Sequence, residues 1–270
     1  MQTVTLVTKT PSTDLETKSI EHLRLVEGEA EIVVRSAEQR GVTLRVMGGL
    51  AVQIHCHGQH SSHLREHSDI DFFGLSDQYN GITTTFRQLG YSPNEEFNLW
   101  NGRTRLQFLR EKHQKNVDVF LDKFEMDHIL NFRSRLWLDD LTIPITDLLL
   151  TKLQIERFEA KDARDVVVIL EDHELGHSDV RDTINLDYIG NVCSRNWGLY
   201  KTVIDNIDRL REVIGQDALD ITWSEGLAQK IYTIRETLAT TRKEPSWIAR
   251  SIIGDKVKWY NEVEVGEGEA

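Results

Sequence analysis

Two cysteines in 270 residues, Cys56 and Cys193, are too few and too far apart to build a disulfide framework, so a reducing compartment is expected. Proline is also scarce, with 4 residues, and no low-complexity tract interrupts the chain, which excludes collagen-like and proline-rich classes. No apolar run approaches the roughly 18 residues that a membrane helix requires. Met1 to Thr10 lacks an apolar stretch behind a basic start, so no signal peptide is expected either, and the expected location is cytoplasmic. Positive charge is short as well. The 32 Lys and Arg against 44 Asp and Glu leave a formal charge of -12, and the mean field of such a chain repels nucleic acids and anionic membranes. A polyanionic partner would need a local basic patch. Asn101 to Lys115 is the best candidate, and it reads more readily as the solvated face of a hairpin.

What is present is a soluble globular profile, 39% apolar and 28% charged, long enough for two modest domains. Ile20, Leu23, Val26, Ala30, Val33 and Ala37 recur at steps of three and four and predict an amphipathic helix ending at Arg40-Gly41. Val42 to Met47 is a β-rich run that stops at Gly48-Gly49, and Leu50 to His55 begins a second helix. Asp69 to Leu75 predicts a strand with Asp69 and Asp71 on one face and Ile70 and Phe72 on the other. A helix over Ile82 to Leu89 follows. Asn101-Gly102, between Phe97 to Trp100 and Arg103 to Leu109, predicts a hairpin. Val117 to Leu121 is a further strand, and Phe132 to Leu138 with Leu141 to Ile143 a second hairpin before Pro144. Beyond it the pattern is helical only: Thr146 to Arg157, Asp162 to Leu170, roughly Val180 to Ile214, Ser224 to Thr240 and Ser246 to Tyr260. Within that half, Trp197, Tyr200, Ile204, Ile207, Leu210 and Ile214 follow helical spacing and read as core. The expected class is α+β, with a flexible segment over 1–14, a mixed-sheet domain over 15–145, a helical domain over 146–262 and an acidic tail over 263–270.

Three carboxylates stand between large apolar neighbours. Asp69 and Asp71 flank Ile70 and precede Phe72 and Phe73, while Asp118 lies between Val117 and Val119. A carboxylate on a strand whose other face is core is unfavourable unless a cation compensates it. A two-residue spacing puts two of them on one face about 7 Å apart. If the strand carrying Asp118 is adjacent, the set could hold two Mg²⁺ ions about 4 Å apart, an arrangement that activates an attacking oxygen and steadies a leaving phosphate. A glycine pair at a strand-to-helix turn has a matching use, since it lets backbone N–H groups approach phosphate oxygens.

Gly48-Gly49, a spacer, Ser68-Asp69-Ile70-Asp71-Phe72 and a later Val117-Asp118-Val119 together resemble the nucleotidyltransferase superfamily of the polymerase-β type. The closer resemblance is to AbiE-type toxin and related stand-alone bacterial nucleotidyltransferases, through Asp147 to Ile155 with Lys152 and through Lys161-Asp-Ala-Arg-Asp165. It covers roughly Gly41 to Leu170. The resemblance implies that Asp69, Asp71 and Asp118 bind Mg²⁺ or Mn²⁺ and are catalytic, with Asp118 helping to activate the acceptor. It implies that Gly48 and Gly49 line the triphosphate of an NTP and that Lys152 neutralises phosphate charge. For Asp162 and Asp165 the resemblance carries a role less directly, and Lys161 with Asp165, four apart on a helix, also read as a simple ion pair. Two departures stand out. Many members carry serine where Gly49 stands, and nineteen residues separate Gly49 from Asp69, longer than in compact members.

That long spacer holds His55, Cys56, His57, His60, His63 and His67. On a continuous helix His60, His63 and His67 would share a face able to bind zinc, but Gly58 and Ser61-Ser62 break the pattern. Arg65, His67 and Ser68 precede the Asp pair closely enough to contact the nucleotide, or form an exposed polar loop. The implied activity is transfer of NMP from an NTP to an acceptor hydroxyl with release of pyrophosphate. The acceptor could be a small molecule such as an aminoglycoside or lincosamide, a tRNA end, or a protein side chain. The alternative is a catalytically silent module of the same fold that binds nucleotide or a partner protein, as in an antitoxin-partnered or regulatory role. A histidine-rich metal-binding protein is a third reading.

Overall fold

The computed structural model describes residues 13–56, 69–110, 115–216 and 223–262. It begins with α1, Thr13–Glu38, whose Leu23, Val26, Ala30, Val33, Val34 and Ala37 are buried along one stripe while Leu25 and Ile32 face solvent. Gly41, at φ +70°, takes the left-handed conformation that ends such a helix without a Cβ clash. The chain then enters β1, Leu44–Met47, and passes directly into α2, Gly48–His55.

β2 (Ile70–Gly74), β3 (Ser92–Pro93), β4 (Arg105–Arg110) and β5 (Lys115–Leu121) complete a five-stranded mixed sheet of order β1-β2-β5-β4-β3. Only β2 and β5 run parallel; the other neighbours are antiparallel. Alternation gives the sheet two unlike faces. Ile70, Phe72, Leu106, Phe108, Val117 and Val119 are all buried on one of them. That face is covered by α1 and by α3, Tyr79–Gln88, whose Phe86 ring stacks on Phe108 at 4.3 Å and meets Phe72 edge-on at 5.7 Å. Asp71, Asp118, Arg105 and Gln107 belong to the opposite face.

The sheet is followed by a small hairpin of β6 (Lys123–Glu125) with β7 (Ile129–Asn131), and by α5, Ile145–Leu153. Every residue of α5 is buried, and the helix packs against α2, α6 (Ala160–Asp172), α7 (Leu186–Arg195) and α8 (Trp197–Gln216). One continuous hydrophobic cluster runs from Val26 in α1 to Leu238 in α9 (Glu225–Thr240) and so includes both halves of the chain. The last helix is α10, Pro245–Ile253. Among the described residues no helix is long and apolar enough to cross a membrane.

Three sequence expectations are corrected. The hairpin at Asn101-Gly102 is instead the end of a helix, α4, Glu95–Asn101. Asn94 caps it by accepting from the Phe97 N–H, and Glu95 and Glu96 in the first turn suit the helix dipole, so local capping overrides the Asn-Gly turn signal. The second hairpin is shifted towards the N-terminus into β6 and β7, while Leu141 to Ile143 pair with the edge of β1 through Val46. The second half is not helical throughout. A short parallel pair, β8 (Glu174–Gly176) and β9 (Thr183–Asn185), precedes α7, and the helix expected over Val180 to Ile214 is divided at Asn196, whose side chain accepts from Leu199 N–H.

Candidate active site

The site is built where β1, β2, β4 and β5 meet the start of α2. Because β2 and β5 are parallel neighbours in register, Asp71 stands directly opposite Asp118. Met47, the last residue of β1, is the antiparallel partner of Asp71, which brings Gly48 against the same carboxylate. Gly48 has φ +71°, and a Cβ built on it would lie 2.6 Å from Asp71 Oδ2. Only glycine satisfies both the backbone angle and that approach. The N-cap residue Met47 makes no side-chain capping bond, and Gly48, against Asp71, opens α2 at the end of the helix that favours anions.

Asp118 is buried and held in two-point fashion by Arg105 of β4, with Nε donating to Oδ1 at 3.0 Å and Nη2 lying 2.8 Å from Oδ2. The same guanidinium lies 4.8 Å from the centre of the Phe120 ring. Asp71 keeps some exposure as a residue, yet its carboxyl is enclosed by protein, and its pKa is pushed up to about 7. Burial is the main cause and Asp118 the second. Arg105 and Lys152 oppose the shift and Asp69 adds to it. Asp69, Arg105, Asp118 and Lys152 thus all act electrostatically on the Asp71 carboxyl. Asp69 is half-buried immediately before β2.

Lys152 projects from the buried helix α5 and pairs with Asp165 of α6 at 2.8 Å. Asp162 is raised above the usual carboxylate range by burial, with Lys152 opposing that rise. Its side chain also accepts from the Glu159 N–H as part of a capping box at the start of α6, a sufficient structural reason for its presence. Lys161 lies 3.3 Å from Glu159.

The structure thus brings Gly48, Asp69, Asp71, Asp118 and Lys152 into one neighbourhood, with Gly49 as the second residue of α2. Arg65, Ser68 and His57, His60, His63 and His67 lie outside the described residues. Sequence reasoning missed Arg105 as a partner of the carboxylates. Its signal was the two-residue alternation Arg105, Gln107 in β4, which points to the face that Asp118 occupies once β4 and β5 pair. As a donor set the site fits a hard divalent cation, since it offers carboxylate oxygens whose mutual repulsion is visible in the raised pKa of Asp71. Asp71 and Asp118, with Asp69 beside them, are the residues that would hold it.

No protein-family model matches the sequence, and no curated protein matches it. Solved structures do match. One is a crystal structure of the lincosamide antibiotic adenylyltransferase LnuA with lincomycin bound, 18% identical, covering 47% of this chain and 72% of that one with a TM-score of 0.27. Another is the solution structure of the antibiotic-resistance factor ANT(2'')-Ia, 11% identical, covering 87% of this chain and 95% of that one with a TM-score of 0.32. Similarity at this level assigns no family, substrate or residue role to this chain.

Proposed function

We propose that this protein is a metal-dependent nucleotidyltransferase that moves NMP from an NTP to an acceptor hydroxyl with release of pyrophosphate. The observation that carries this reading is the in-register opposition of Asp71 and Asp118 with Gly48 closed against Asp71. Two enclosed carboxylates side by side are unfavourable in isolation. They become useful where a phosphate-bound cation has to be gripped.

In this reading Asp69, Asp71 and Asp118 hold Mg²⁺ or Mn²⁺, which when bound supplies Lewis acidity to the phosphate oxygens. Gly48 and Gly49 present backbone amides of α2 to the triphosphate. Asp118 takes part in activating the acceptor hydroxyl. Lys152 offsets negative charge from behind the carboxylates, and Arg65 and Ser68 contact the nucleotide from the segment that precedes Asp69. Arg105 orients Asp118 through its two-point contact. Beyond that activation, the protein contributes positioning and charge neutralisation to such a transfer. Residues 15–145 form the catalytic domain and 146–262 the helical domain that shapes the acceptor side. The net charge of -12 favours an acceptor that is not a polyanion, such as a hydroxylated small molecule.

The test is incubation with Mg²⁺ and each α-labelled NTP beside an aminoglycoside, a lincosamide, tRNA and protein acceptors, comparing wild type with Asp69→Ala and Asp71→Ala. Label should move to one acceptor class and stop in both variants. Transfer that persists unchanged in both would overturn the reading.

A further inference from the structure

The end of α2 remote from Gly48 carries a second cluster that the proposed transfer does not use. His55, seven residues and about 10 Å along the helix by the usual rise, meets Asp139 and Asp182, and one ligand atom of each lies within 4.8 Å of the others. The three residues come from α2, from the segment before α5 and from the turn before β9, so the cluster joins distant parts of the chain.

His55 is the informative member. Its side chain is 4% exposed. Its Nε2 lies 3.2 Å from the Ile143 carbonyl and 2.6 Å from Thr142 Oγ1. A carbonyl can only accept, and the tautomer that serves it carries the hydrogen on Nε2, with the Thr142 hydroxyl free to act as donor or acceptor beside it. That leaves Nδ1 facing Asp182 Oδ1 at 3.4 Å. The separation is long for a hydrogen bond but equals the edge of a tetrahedron around an ion with bonds of about 2.0–2.1 Å. Anchoring one ring nitrogen on a backbone carbonyl while the other addresses the ion is how protein imidazoles hold metals.

The carboxylates are set in a compatible way. Asp139 is buried, and its Oδ1 accepts from the Leu141 and Thr142 N–H groups, which fixes the side chain and turns Oδ2 to the cluster. Asp182 sits in the left-handed region at φ 58°, and its carbonyl accepts from Nδ1 of the buried His173 at 3.0 Å. Arg181 faces the same carboxylates, with Nε 3.6 Å from Asp139 Oδ2 and 3.9 Å from Asp182 Oδ2. It is 60% exposed and also anchored on Asp140 at 2.9 Å, so it can keep that anchor and yield its weaker contacts.

We propose that His55, Asp139 and Asp182 form a site for one first-row transition ion of the zinc(II) type, which staples the C-terminal end of α2 to the segments entering α5 and β9. The imidazole discriminates against Mg²⁺, which takes oxygen ligands, so this site and the Asp71 site select different ions. The alternative arrangement, His55 paired directly with Asp182 beside Arg181, binds no metal.

The experiment uses the full chain, stripped with a chelator and titrated with Zn²⁺ against a colorimetric competitor, with Co²⁺ absorption as a second readout. One ion per chain should bind to wild type, survive millimolar Mg²⁺ and raise its melting temperature. Asp182→Asn tolerates the left-handed backbone, so its metal-free fold and melting temperature should be those of wild type. It should nevertheless bind at least about tenfold more weakly. His55→Gln should lose the cobalt bands, whereas Asp71→Asn should retain the site. Absence of binding to wild type, binding unchanged in both His55→Gln and Asp182→Asn, or loss of binding in Asp71→Asn would each overturn the proposal.

Discussion

Asp71 and Asp118 stand opposite one another on adjacent parallel strands, and the two carboxylates have different electrical surroundings. Asp118 carries the two-point contact with Arg105; Asp71 has burial and a like charge as its main influences, and its pKa rises to about 7 in consequence. In the proposed function the pair receives a cation, beside the guanidinium that already contacts Asp118.

A stability consequence follows for Asp71. A carboxyl whose folded pKa rises from 3.8 to about 7 binds its proton more tightly in the folded chain, so its favourable contribution is full below about pH 4 and is lost as pH rises through about 7. Without divalent metal, Asp71→Asn should therefore be more stable than wild type at pH 8, on the order of 2 kcal/mol, and similar to it at pH 4. Added Mg²⁺ should stabilise wild type at pH 8 and leave the variant unchanged. Chemical denaturation at the two pH values checks both statements.

Gly48 and Gly28 make a matched pair. Gly48→Ala introduces a Cβ 2.6 Å from Asp71 Oδ2 at φ +71°, and should destabilise by about 1–3 kcal/mol while impairing nucleotide binding. Gly28 lies within α1 with nothing within 4 Å of an added Cβ, so Gly28→Ala should stabilise by about 0.5–1 kcal/mol and leave nucleotide binding alone. Thermal unfolding and nucleotide titration of the two variants separate the roles.

Arg105→Ala removes the two-point hold on Asp118 and the cation over Phe120. The arginine is more than a third exposed, so solvent screening limits the loss to about 1–2 kcal/mol. Because Arg105 holds the Asp71 pKa down, its removal raises that pKa further, and the acidic limb of the metal-dependent transfer should move to higher pH. A pH profile of the variant that superimposes on wild type would deny Arg105 any electrostatic role there.

Lys152 and Asp165 are both buried and 2.8 Å apart. Lys152→Met strands carboxylates of α6 and should destabilise by about 2–4 kcal/mol. Adding Asp165→Asn should recover part of that loss in a double-mutant cycle. Recovery would assign Lys152 a structural share; a strictly additive cycle would leave its charge directed at the Asp71 side alone.

The carboxylate site was legible because its parts are local patterns: the alternation in Asp69-Ile70-Asp71-Phe72, the apolar flanks of Asp118 and the strand-glycine-helix order at Gly48. Their convergence depended on β2 and β5 being neighbours, which the sequence left as a condition and the strand pairing displays. Arg105 was hidden because its meaning lies across the β4–β5 pair and not along β4. Asn101-Gly102 misled because the dipeptide also suits the end of a helix, and Asn94 with two following glutamates outweighs it. β8 and β9, three residues each, are too short for periodicity to reveal. His55, Asp139 and Asp182 are joined only by tertiary packing, so no spacing rule along the chain finds them.

The central claim is that the Asp71 and Asp118 carboxylates receive a nucleotide through a divalent cation, and calorimetric titration with a non-hydrolysable NTP analogue tests it most directly. One binding event that requires Mg²⁺ and disappears in both Asp71→Asn and Asp118→Asn is the predicted result. Binding that is indifferent to Mg²⁺, or that survives in both variants, would contradict it.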